Sequence, residues 1–293
     1  TLGVWTAPRT APNSIELRKQ GYFDDPGILL TPEQVEPLGT YIWQLNRVPY
    51  KHQLDWKEKV KTRPKALCRA DPGLGKTYMT MLAWEHYGVA PEDIVVCCPA
   101  SLIMNWVAEI KTVTGVDAIP IVGTATKKAK AYERKGLHVC SYDFFSKAPF
   151  LGKLCVVCDE SHLAKNASSK RSKAMHVQCK NKPLVHLLTG TPVSQGPQDY
   201  YSQMQAIAPG LLGHSYTAFK HRYCVEEPVR GAPIGVKRIV GYKNLEELVS
   251  LISPYVCSYS KEECLDLPPK TYDTRYFELS PAQAQMYKTL STQ

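Results

Sequence analysis

The sequence predicts an α/β fold in which a mostly parallel central sheet carries helices on both faces. Between about residues 65 and 210, short apolar runs alternate with segments whose apolar residues recur at helical spacing. The segments Val-Val-Cys-Asp (156–159) and Val-His-Leu-Leu (185–188) are almost continuously apolar. Strands that are covered on both sides have this composition, so the pattern favours a three-layer domain.

These patterns place each element in chain order. The predicted strands are 65–70, 93–98, 118–122, 137–141, 153–159 and 184–190. The helices between them are predicted at 76–88 and 101–113, and in the second of these Leu102, Trp106 and Ile110 recur every four residues. The remaining predictions are helical patterns at 198–222, 243–252 and 280–290, a loop or hairpin at 226–241, and a capped helix start at 31–34.

The composition is that of a globular protein, with 44% apolar, 22% charged and 10% aromatic residues among 293. No run approaches the roughly 18 apolar residues that cross a bilayer, and the first ten residues lack a charged and then apolar leader. We therefore expect an intracellular protein without a membrane partner, in the cytoplasm or nucleoid of a prokaryote or virus, or in the nucleus of a eukaryote. Because Thr1 is not a methionine, we also expect an internal start, with processing or removal of a tag as the alternatives.

The net charge of +9 is concentrated in two segments. Residues 47–76 carry nine basic and three acidic side chains, residues 111–180 carry thirteen and five, and the rest of the chain is slightly acidic. A surplus gathered in this way indicates a surface that faces a polyanion. A solvated basic face without a partner is the alternative at this point.

Ten cysteines lie largely within the apolar runs, so buried and reduced thiols are expected. The Cys-x-x-Cys pair formed by Cys155 and Cys158 falls in a predicted strand, where the odd spacing sends the two side chains to opposite faces. No zinc or redox site is therefore expected. His186 lies in another buried strand and is expected to be a hydrogen-bonded core residue.

The segment Ala-Asp-Pro-Gly-Leu-Gly-Lys-Thr (70–77) directly follows a predicted strand and opens a predicted helix. Glycines allow the backbone to wrap a phosphate group with its N–H donors, and the helix N-terminus adds partial positive charge. Lys76 is expected to reach the β- and γ-phosphates, and the Thr77 hydroxyl to take a Mg²⁺ position. Ala70 stands where the usual pattern begins with glycine, and an ordinary glycine-rich turn is the alternative.

Two carboxylates, Asp159 and Glu160, end the strand predicted at 153–159. Ligands of parallel sheets bind beyond the carboxyl ends of the strands, so both side chains are expected beside the phosphate loop. Asp159 can hold Mg²⁺ through water, and Glu160 can orient and deprotonate an attacking water. A simple helix cap is the alternative.

A third predicted strand ends in Leu-Thr-Gly-Thr-Pro (188–192). We interpret the hydroxyls of Thr189 and Thr191 as a relay between the carboxylates and a neighbouring surface, with an ordinary turn as the alternative. His162, just after the carboxylates, is expected to be a coupling residue near the γ-phosphate rather than a metal ligand.

The three motifs, in this order and each closing a strand of one sheet, resemble the first RecA-like lobe of superfamily-2 helicases and translocases. Further segments are similar to the Swi/Snf-like branch, the double-stranded-DNA translocases. These segments lie at 49–53, 98–109, 141–142, 165–173, 241–248 and 267–270. The resemblance covers roughly residues 47–293.

The resemblance implies a RecA-like P-loop NTPase fold that binds ATP and Mg²⁺ and hydrolyses ATP. Gln53 would read the adenine edge, and Thr77 and Asp159 would hold the metal. The residues implied to contact the nucleotide are Gln53, Gly73, Leu74, Gly75, Lys76, Thr77 and Tyr78. The catalytic residues would be Lys76, Asp159 and Glu160, and the coupling residues His162, Thr189 and Thr191.

The resemblance also implies double-stranded DNA as a partner. The expected DNA contacts are Ser101, Ser141, Lys165, Asn166 and Lys170. Such contacts position the phosphate backbone and carry little sequence information. An exposed helix face is the alternative for Lys170.

By the same resemblance the chain divides into an accessory segment (1–46), a RecA-like lobe (47–265) with a helical or hairpin excursion at about 210–242, and an exit segment (266–293). A second RecA-like lobe of the same full-length chain is expected beyond residue 293, and in the family that lobe brings arginine fingers. A missing arginine finger is worth a factor of about 10³ to 10⁵ in rate. The isolated fragment is therefore expected to bind nucleotide but to hydrolyse it weakly.

Three positions depart from the pattern of the branch. Ser161 replaces the usual small residue of the Asp-Glu-x-His box. The residues at 194–195 are Ser-Gln in place of Gln-Asn, and those at 258–261 are Ser-Tyr-Ser-Lys where an Arg pair before a Lys is typical.

Two other functions fit the same residues. A strand-separating helicase or a restriction-type motor subunit would carry the same lobe, and only the second half of the motor would discriminate them. A non-catalytic nucleic-acid-binding module would keep the fold without the chemistry, but the intact Lys76, Thr77, Asp159 and Glu160 argue against it.

Overall fold

The computed structural model describes residues 37–193, 196–229, 231, 233, 236–266, 273–274, 276 and 278–291. Three of the sequence interpretations fall outside these residues. They concern the helix cap at 31–34, the pair at 194–195 and the segment at 267–270. The accessory segment predicted at 1–46 is described only from residue 37 onward.

A seven-stranded sheet forms the centre of the molecule, and all of its strand pairs are parallel. Its spatial order is β3-β4-β2-β5-β6-β1-β9. The strands are β1 (Lys65–Ala70), β2 (Ile94–Cys98), β3 (Ile119–Pro120), β4 (His138–Ser141), β5 (Cys155–Asp159), β6 (Leu184–Thr189) and β9 (Val256–Tyr259). The first six of these fall within the six predicted runs.

Strand β9 was not predicted from the sequence. It pairs with β1 at the edge of the sheet, and Ser258 on it is exposed. Because β9 is an edge strand that pairs only with β1, it is partly exposed and lacks the continuous apolar run that marks strands buried on both faces. The pairing nevertheless matters, since it brings the chain that follows β9 against the end of β1.

Helices cover both faces of the sheet, as predicted. They are α1 (Lys51–Lys61), α2 (Lys76–Tyr87), α3 (Ile103–Thr114), α4 (Ala125–Glu133), α5 (Tyr142–Phe145), α6 (Lys170–Cys179), α7 (Asp199–Ile207), α8 (Tyr216–Tyr223), α9 (Leu245–Ile252), α10 (Lys261–Cys264) and α11 (Pro281–Ser291). None of the described helices is long and apolar enough to span a membrane.

The prediction of one helical stretch at 198–222 is wrong in its middle. Helix α7 ends at Ile207 and α8 begins at Tyr216. Pro209 lies between them, and Gly210 and Gly213 have φ values of 85° and 81°, which only glycine adopts readily. The loop or hairpin predicted at 226–241 is an antiparallel hairpin of β7 (Cys224–Pro228) and β8 (Lys237–Tyr242).

Two apolar layers form the core, one on each face of the sheet. Trp56 and Trp84 belong to the first layer, and Phe145 and Met204 belong to the second. All ten cysteines are unpaired, and nine of them are buried. Cys155 contributes to the first layer and the second layer contains Cys158, so their predicted opposite orientation is confirmed.

His186 in β6 is fully buried, and its ring meets Trp56 edge to face with centroids 5.2 Å apart. Within the described part of the chain, neither ring nitrogen has a hydrogen-bond partner. The expectation of a hydrogen-bonded core histidine is therefore wrong. Burial without a polar partner disfavours the charged ring and lowers the pKa of His186 to about 3.

Replacing His186 with Leu is expected to stabilise the fold by about 1–3 kcal/mol at pH 7, because it removes a buried polar group that has no partner. The folded pKa lies below the ordinary value of 6.5. As the pH falls below that value, His186 becomes protonated in the unfolded chain but stays neutral in the folded one, so the free energy of unfolding of the parent decreases. The Leu variant lacks this group, so its free energy of unfolding should decrease less between pH 7 and pH 5.

Urea unfolding at pH 7 and pH 5 measures this difference. His221→Leu is the matched control, since His221 is exposed and its replacement should change stability by no more than about 0.5 kcal/mol. A His186→Leu variant that is less stable than the parent at both pH values would contradict the prediction.

Candidate functional site

A five-residue loop connects β1 to α2 and carries the predicted phosphate-binding glycines. Gly73 and Gly75 have φ values of 91° and 76°, in the left-handed region that favours glycine. Gly75 is also the N-cap of α2. A Cβ atom at Gly75 would lie 2.5 Å from Nε2 of Gln53, so a side chain here would strain the backbone and displace the Gln53 amide. The result is a backbone loop at a helix N-terminus, the arrangement that binds phosphate groups in many proteins.

Lys76 and Thr77, which follow the loop, are both partly exposed. The Lys76 ammonium donates a hydrogen bond of 2.9 Å to the carbonyl oxygen of Ala70. This bond folds the side chain back across the loop, between its first residue and the start of α2. The charge of Lys76 therefore lies at the loop itself.

Gln53 is buried, and both polar atoms of its side chain bond to the protein. Its Oε1 accepts a 3.0 Å hydrogen bond from the backbone N–H of Tyr50, and its Nε2 donates a 3.1 Å bond to the carbonyl of Leu74. Nε2 of His52 lies 2.9 Å from the same carbonyl. Gln53 thus braces the loop, and its contact with an adenine stays a prediction.

Tyr78 is turned into the protein. The residue is 3% exposed, and its hydroxyl donates to the backbone carbonyl of Arg47. Desolvation by burial raises the pKa of this phenol. Of the atoms of Tyr78, only its backbone N–H near the start of α2 remains suited to the predicted nucleotide contact.

Asp159 closes β5 and is 7% exposed. Its Oδ2 accepts a 2.8 Å hydrogen bond from the indole N–H of Trp106, and its Oδ1 accepts one of 2.9 Å from the backbone N–H of Glu160. Burial raises the pKa of the Asp159 carboxyl, and the Trp106 bond and the charge of Lys76 oppose that rise. In the sheet only β6 separates β5 from β1, so the end of β5 and the loop that follows β1 lie at the same edge of the sheet.

Glu160 adopts a left-handed backbone conformation, with φ 50° and ψ 48°. Such angles are uncommon for a residue with a side chain, and they cluster at functional sites. Its carboxylate Oε2 lies 3.3 Å from Nδ1 of His162. The backbone thus turns sharply at the end of β5 and aims the carboxylate at this histidine.

The three predicted coupling residues form a chain of contacts beside Glu160. Nδ1 of His162 lies 3.0 Å from the hydroxyl oxygen of Thr189. That oxygen accepts a 3.1 Å hydrogen bond from the backbone N–H of Thr191. Thr189 is fully buried at the end of β6, so a change at Glu160 can reach the turn after β6 through direct contacts.

The five predicted DNA-contact residues all follow carboxyl ends of strands. Ser101 is exposed after β2, and Ser141 ends β4 and caps α5 by accepting a bond from the N–H of Phe144. Asn166 and Lys170 are exposed after β5. Because the strands are parallel, these positions share one edge of the sheet with the phosphate loop.

Lys165, the fifth of these residues, is held by a buried acid. Its Nζ lies 3.3 Å from Oδ2 of Asp199, whose side chain is 5% exposed, while that of Lys165 is 23% exposed. Sequence reasoning missed Asp199, and it also missed that Trp106 donates to Asp159. Trp106 was identified as a core position of α3, and its indole N–H was the only signal of a polar role.

Oxygen ligands suitable for Mg²⁺ are present at the site. Mg²⁺ is usually bound by one or two protein oxygens together with substrate phosphates, and it keeps several waters. The Thr77 hydroxyl and the Asp159 carboxylate fit this requirement. In the described part of the chain, no three His, Cys, Asp or Glu side chains form a group that could hold a metal ion by themselves.

Residues 51–293 match the family model of the SNF2-related domain. The chain is 29% identical over 251 residues to the TATA-binding protein-associated factor BTAF1 of Arabidopsis thaliana, covering 75% of this chain and 12% of that protein. It is 27% identical over 255 residues to the DNA repair and recombination protein RAD54B of Gallus gallus, covering 79% of this chain and 27% of that protein. The chain therefore spans less than a third of the length of either relative.

The fold is also that of a solved structure. The Sulfolobus solfataricus SWI2/SNF2 ATPase core in complex with dsDNA matches with a TM-score of 0.60 and 24% identity, over 89% of this chain and 53% of that one. This match confirms the RecA-like architecture that the motifs implied.

Proposed function

Because the chain belongs to the SNF2-related domain family, we propose that it is the nucleotide-binding lobe of an ATP-driven motor that moves along duplex DNA. The observation that carries the proposal is the convergence of the phosphate loop, Asp159, Glu160, His162 and Thr189 at one edge of a parallel sheet. Phosphoryl transfer depends mainly on positioning and on neutralising charge, and this edge offers both.

The phosphates of ATP would lie on the loop. Backbone N–H groups at the start of α2 would donate to them, and Lys76 would supply a positive charge there. To reach a phosphate, Lys76 exchanges its bond with the Ala70 carbonyl for one with the ligand. Gln53 would then support the loop and contact the adenine from the same side chain.

The Thr77 hydroxyl and Asp159 would hold Mg²⁺, which neutralises phosphate charge when it is bound. Trp106 fixes the orientation of the Asp159 carboxylate through its hydrogen bond. Removing this donor would leave the carboxylate held only through Oδ1, by the backbone N–H of Glu160. Trp106 is therefore proposed to position Asp159 rather than to touch the nucleotide.

Glu160 would act as the general base that orients and deprotonates the attacking water. Its carboxylate lies beside His162, which can accept or donate a hydrogen bond according to its tautomer. His162 and Thr189 would then report the state of the γ-phosphate to the turn at Thr191.

Full turnover would require a second RecA-like lobe of the full-length protein, which supplies arginine fingers. We propose that residues 1–293 alone bind ATP and hydrolyse it weakly, because charge neutralisation at the γ-phosphate is then incomplete.

The edge that carries Ser101, Ser141, Lys165, Asn166 and Lys170 would face the phosphate backbone of duplex DNA. Hydroxyl, amide and ammonium groups suit this role, since they bond to phosphate oxygens without reading bases. The two basic segments of the sequence contain or flank these positions. The +9 charge would thus serve DNA binding.

Replacing Lys165 with Ala is expected to weaken duplex binding about equally for all sequences. The slope of log K against log salt should become shallower by about 0.9, because one phosphate contact is lost. Fluorescence anisotropy with a labelled duplex, at several salt concentrations between about 50 and 200 mM, gives both the affinity and its salt slope. Lys111→Ala is the control, since Lys111 pairs with Asp117 on an exposed surface. An unchanged slope in Lys165→Ala would contradict the role.

Movement along duplex DNA distinguishes the proposed translocase from a strand-separating helicase. The full-length protein is given ATP and a duplex that carries a triplex-forming third strand, and a forked duplex in parallel. A translocase displaces the third strand and leaves the fork paired. Separation of the fork supports the helicase, and failure on both substrates despite ATP turnover contradicts a motor.

A further inference from the structure

Gln203 lies one turn after the start of α7 and is fully buried. All of its side-chain polar groups are engaged. Its Oε1 accepts a 2.9 Å hydrogen bond from the Ser161 hydroxyl, and its Nε2 donates bonds of 2.9 Å and 3.1 Å to the carbonyls of Pro192 and Asp199. A primary amide with one acceptor and two donors matches these three partners.

The partners of Gln203 belong to two different motifs of the candidate ATP site. Ser161 directly follows the proposed general base Glu160, and it is fully buried. Pro192 directly follows Thr191, the last residue of the proposed relay. One amide therefore ties the segment after β5 to the segment after β6. It also accounts for Ser161, which replaces the usual small residue of its motif and whose hydroxyl would otherwise be buried without a partner.

The same turn of α7 holds the proposed DNA side. Asp199, four residues before Gln203, pairs with Lys165 at 3.3 Å. Between them in sequence, Ser202 donates a 2.8 Å hydrogen bond from its hydroxyl to the carbonyl of Ala164. The first turn of α7 thus contacts the segment 161–165 at both of its ends, near the nucleotide at Ser161 and near the DNA at Lys165.

We propose that Gln203 is a positioning residue that couples DNA binding to ATP hydrolysis, by making α7 and the segment 161–165 move as one unit. This inference rests on the proposed function, since it assigns the regulation of that same site. A phosphate that draws Lys165 outward pulls on Asp199, and the helix transmits the displacement through Gln203 to Ser161 and so to Glu160. Gln203 itself touches neither nucleotide nor DNA.

The chemistry of Gln203 makes the coupling specific to a neutral amide. Leu has a similar volume but leaves the Ser161 hydroxyl and the Pro192 carbonyl without their buried partner. Glu would place a carboxylate against two carbonyl oxygens, and both replacements break the link between the two motifs. Ser161→Ala removes only one bond and barely changes the packing.

The test measures steady-state ATP hydrolysis by the full-length protein with and without saturating duplex DNA. We expect Gln203→Leu to lower the ratio of stimulated to basal turnover by about three- to tenfold, a range that corresponds to typical coupling energies. Basal turnover should stay within about twofold. Ser161→Ala should lower the ratio in the same direction by a smaller factor. The double variant should be no worse than Gln203→Leu, because the two side chains act through one bond.

Gln205→Leu is the matched control. Gln205 lies on the same helix and bonds to the backbone of Gly210 and Gly213, away from both motifs. Its ratio should equal that of the parent. If Gln203→Leu does not fold, as judged by its thermal melt, Ser161→Ala carries the test alone.

Equal losses of basal and stimulated turnover in the Gln203 and Ser161 variants would overturn the coupling role, and so would an unchanged ratio. Multiplying losses in the double variant would overturn the link between the two residues. A parent protein without any DNA stimulation is a different result, since it contradicts the proposed function itself.

Discussion

Replacing Glu160 with Gln is expected to lower kcat for ATP hydrolysis by about 10² to 10⁴, the range that a general base contributes. Gln keeps the size of the side chain and its left-handed backbone position, but it cannot take a proton from water. Nucleotide affinity should stay within about threefold, because the proposed phosphate contacts are those of the loop and Lys76, which the substitution leaves in place. The loss would therefore appear in kcat and leave binding intact.

Phosphate release measured over time gives kcat, and titration with a fluorescent ATP analogue gives the nucleotide affinity. Glu58→Gln serves as the control, since Glu58 is an exposed residue that pairs with Lys61. If the kcat of Glu160→Gln is within about tenfold of that of the parent, Glu160 is not the general base. A loss of binding as large as the loss of turnover would mean that Glu160 acts on the ground state instead.

Replacing Gly75 with Ala is expected to reduce nucleotide affinity by at least about tenfold. Two physical causes act together. The φ value of 76° strains any side chain by about 1 kcal/mol or more, and the new Cβ would lie 2.5 Å from Nε2 of Gln53. The Gln53 amide that braces the loop must then shift, and the loop loses the conformation in which its backbone N–H groups would bind a phosphate.

Gly115→Ala is the control that carries the backbone strain without the steric clash. Gly115 has a similar φ of 73°, but no atom lies within 4 Å of the position that its Cβ would take. Its replacement should cost some stability and leave nucleotide binding unchanged. If titration with the fluorescent analogue gives equal affinities for Gly75→Ala and the parent, the loop does not hold the phosphates.

The phosphate loop and the carboxylates at the end of β5 could be located from the sequence. Parallel strands bring their carboxyl ends to one edge, so Lys76, Asp159 and Thr189 had to converge once the strands were identified. Their motifs are local, because glycine at a positive φ and polar residues after an apolar run leave a signal within a few residues.

Contacts between distant segments left no such signal. Ser161 and Gln203 are 42 residues apart in the sequence, and α7 also contains a second glutamine, Gln205. Which glutamine faces the core depends on how α7 packs against the segment 161–165. Strand β9 was missed for a related reason, since an edge strand need not be apolar on both faces.

The brace that Gln53 gives to the phosphate loop is a further long-range contact. A family resemblance implies that this side chain meets the adenine, but its bond to Leu74 arises from the packing of α1 against the loop, while its bond to Tyr50 caps the start of α1. The unpaired state of His186 has the same origin. Its position in a buried strand was evident, whereas the lack of a hydrogen-bond partner for either ring nitrogen was not.

Steady-state ATP hydrolysis by the full-length protein, with duplex DNA, single-stranded DNA, RNA or no nucleic acid, tests the central claim most directly. Lys76→Ala measures the background, since it removes the charge at the phosphate loop. We expect duplex DNA to raise kcat by about tenfold or more over the unstimulated rate, which lowers the barrier by at least about 1.4 kcal/mol, and we expect Lys76→Ala to abolish this turnover. Turnover that ignores duplex DNA, or that survives in Lys76→Ala, would contradict it.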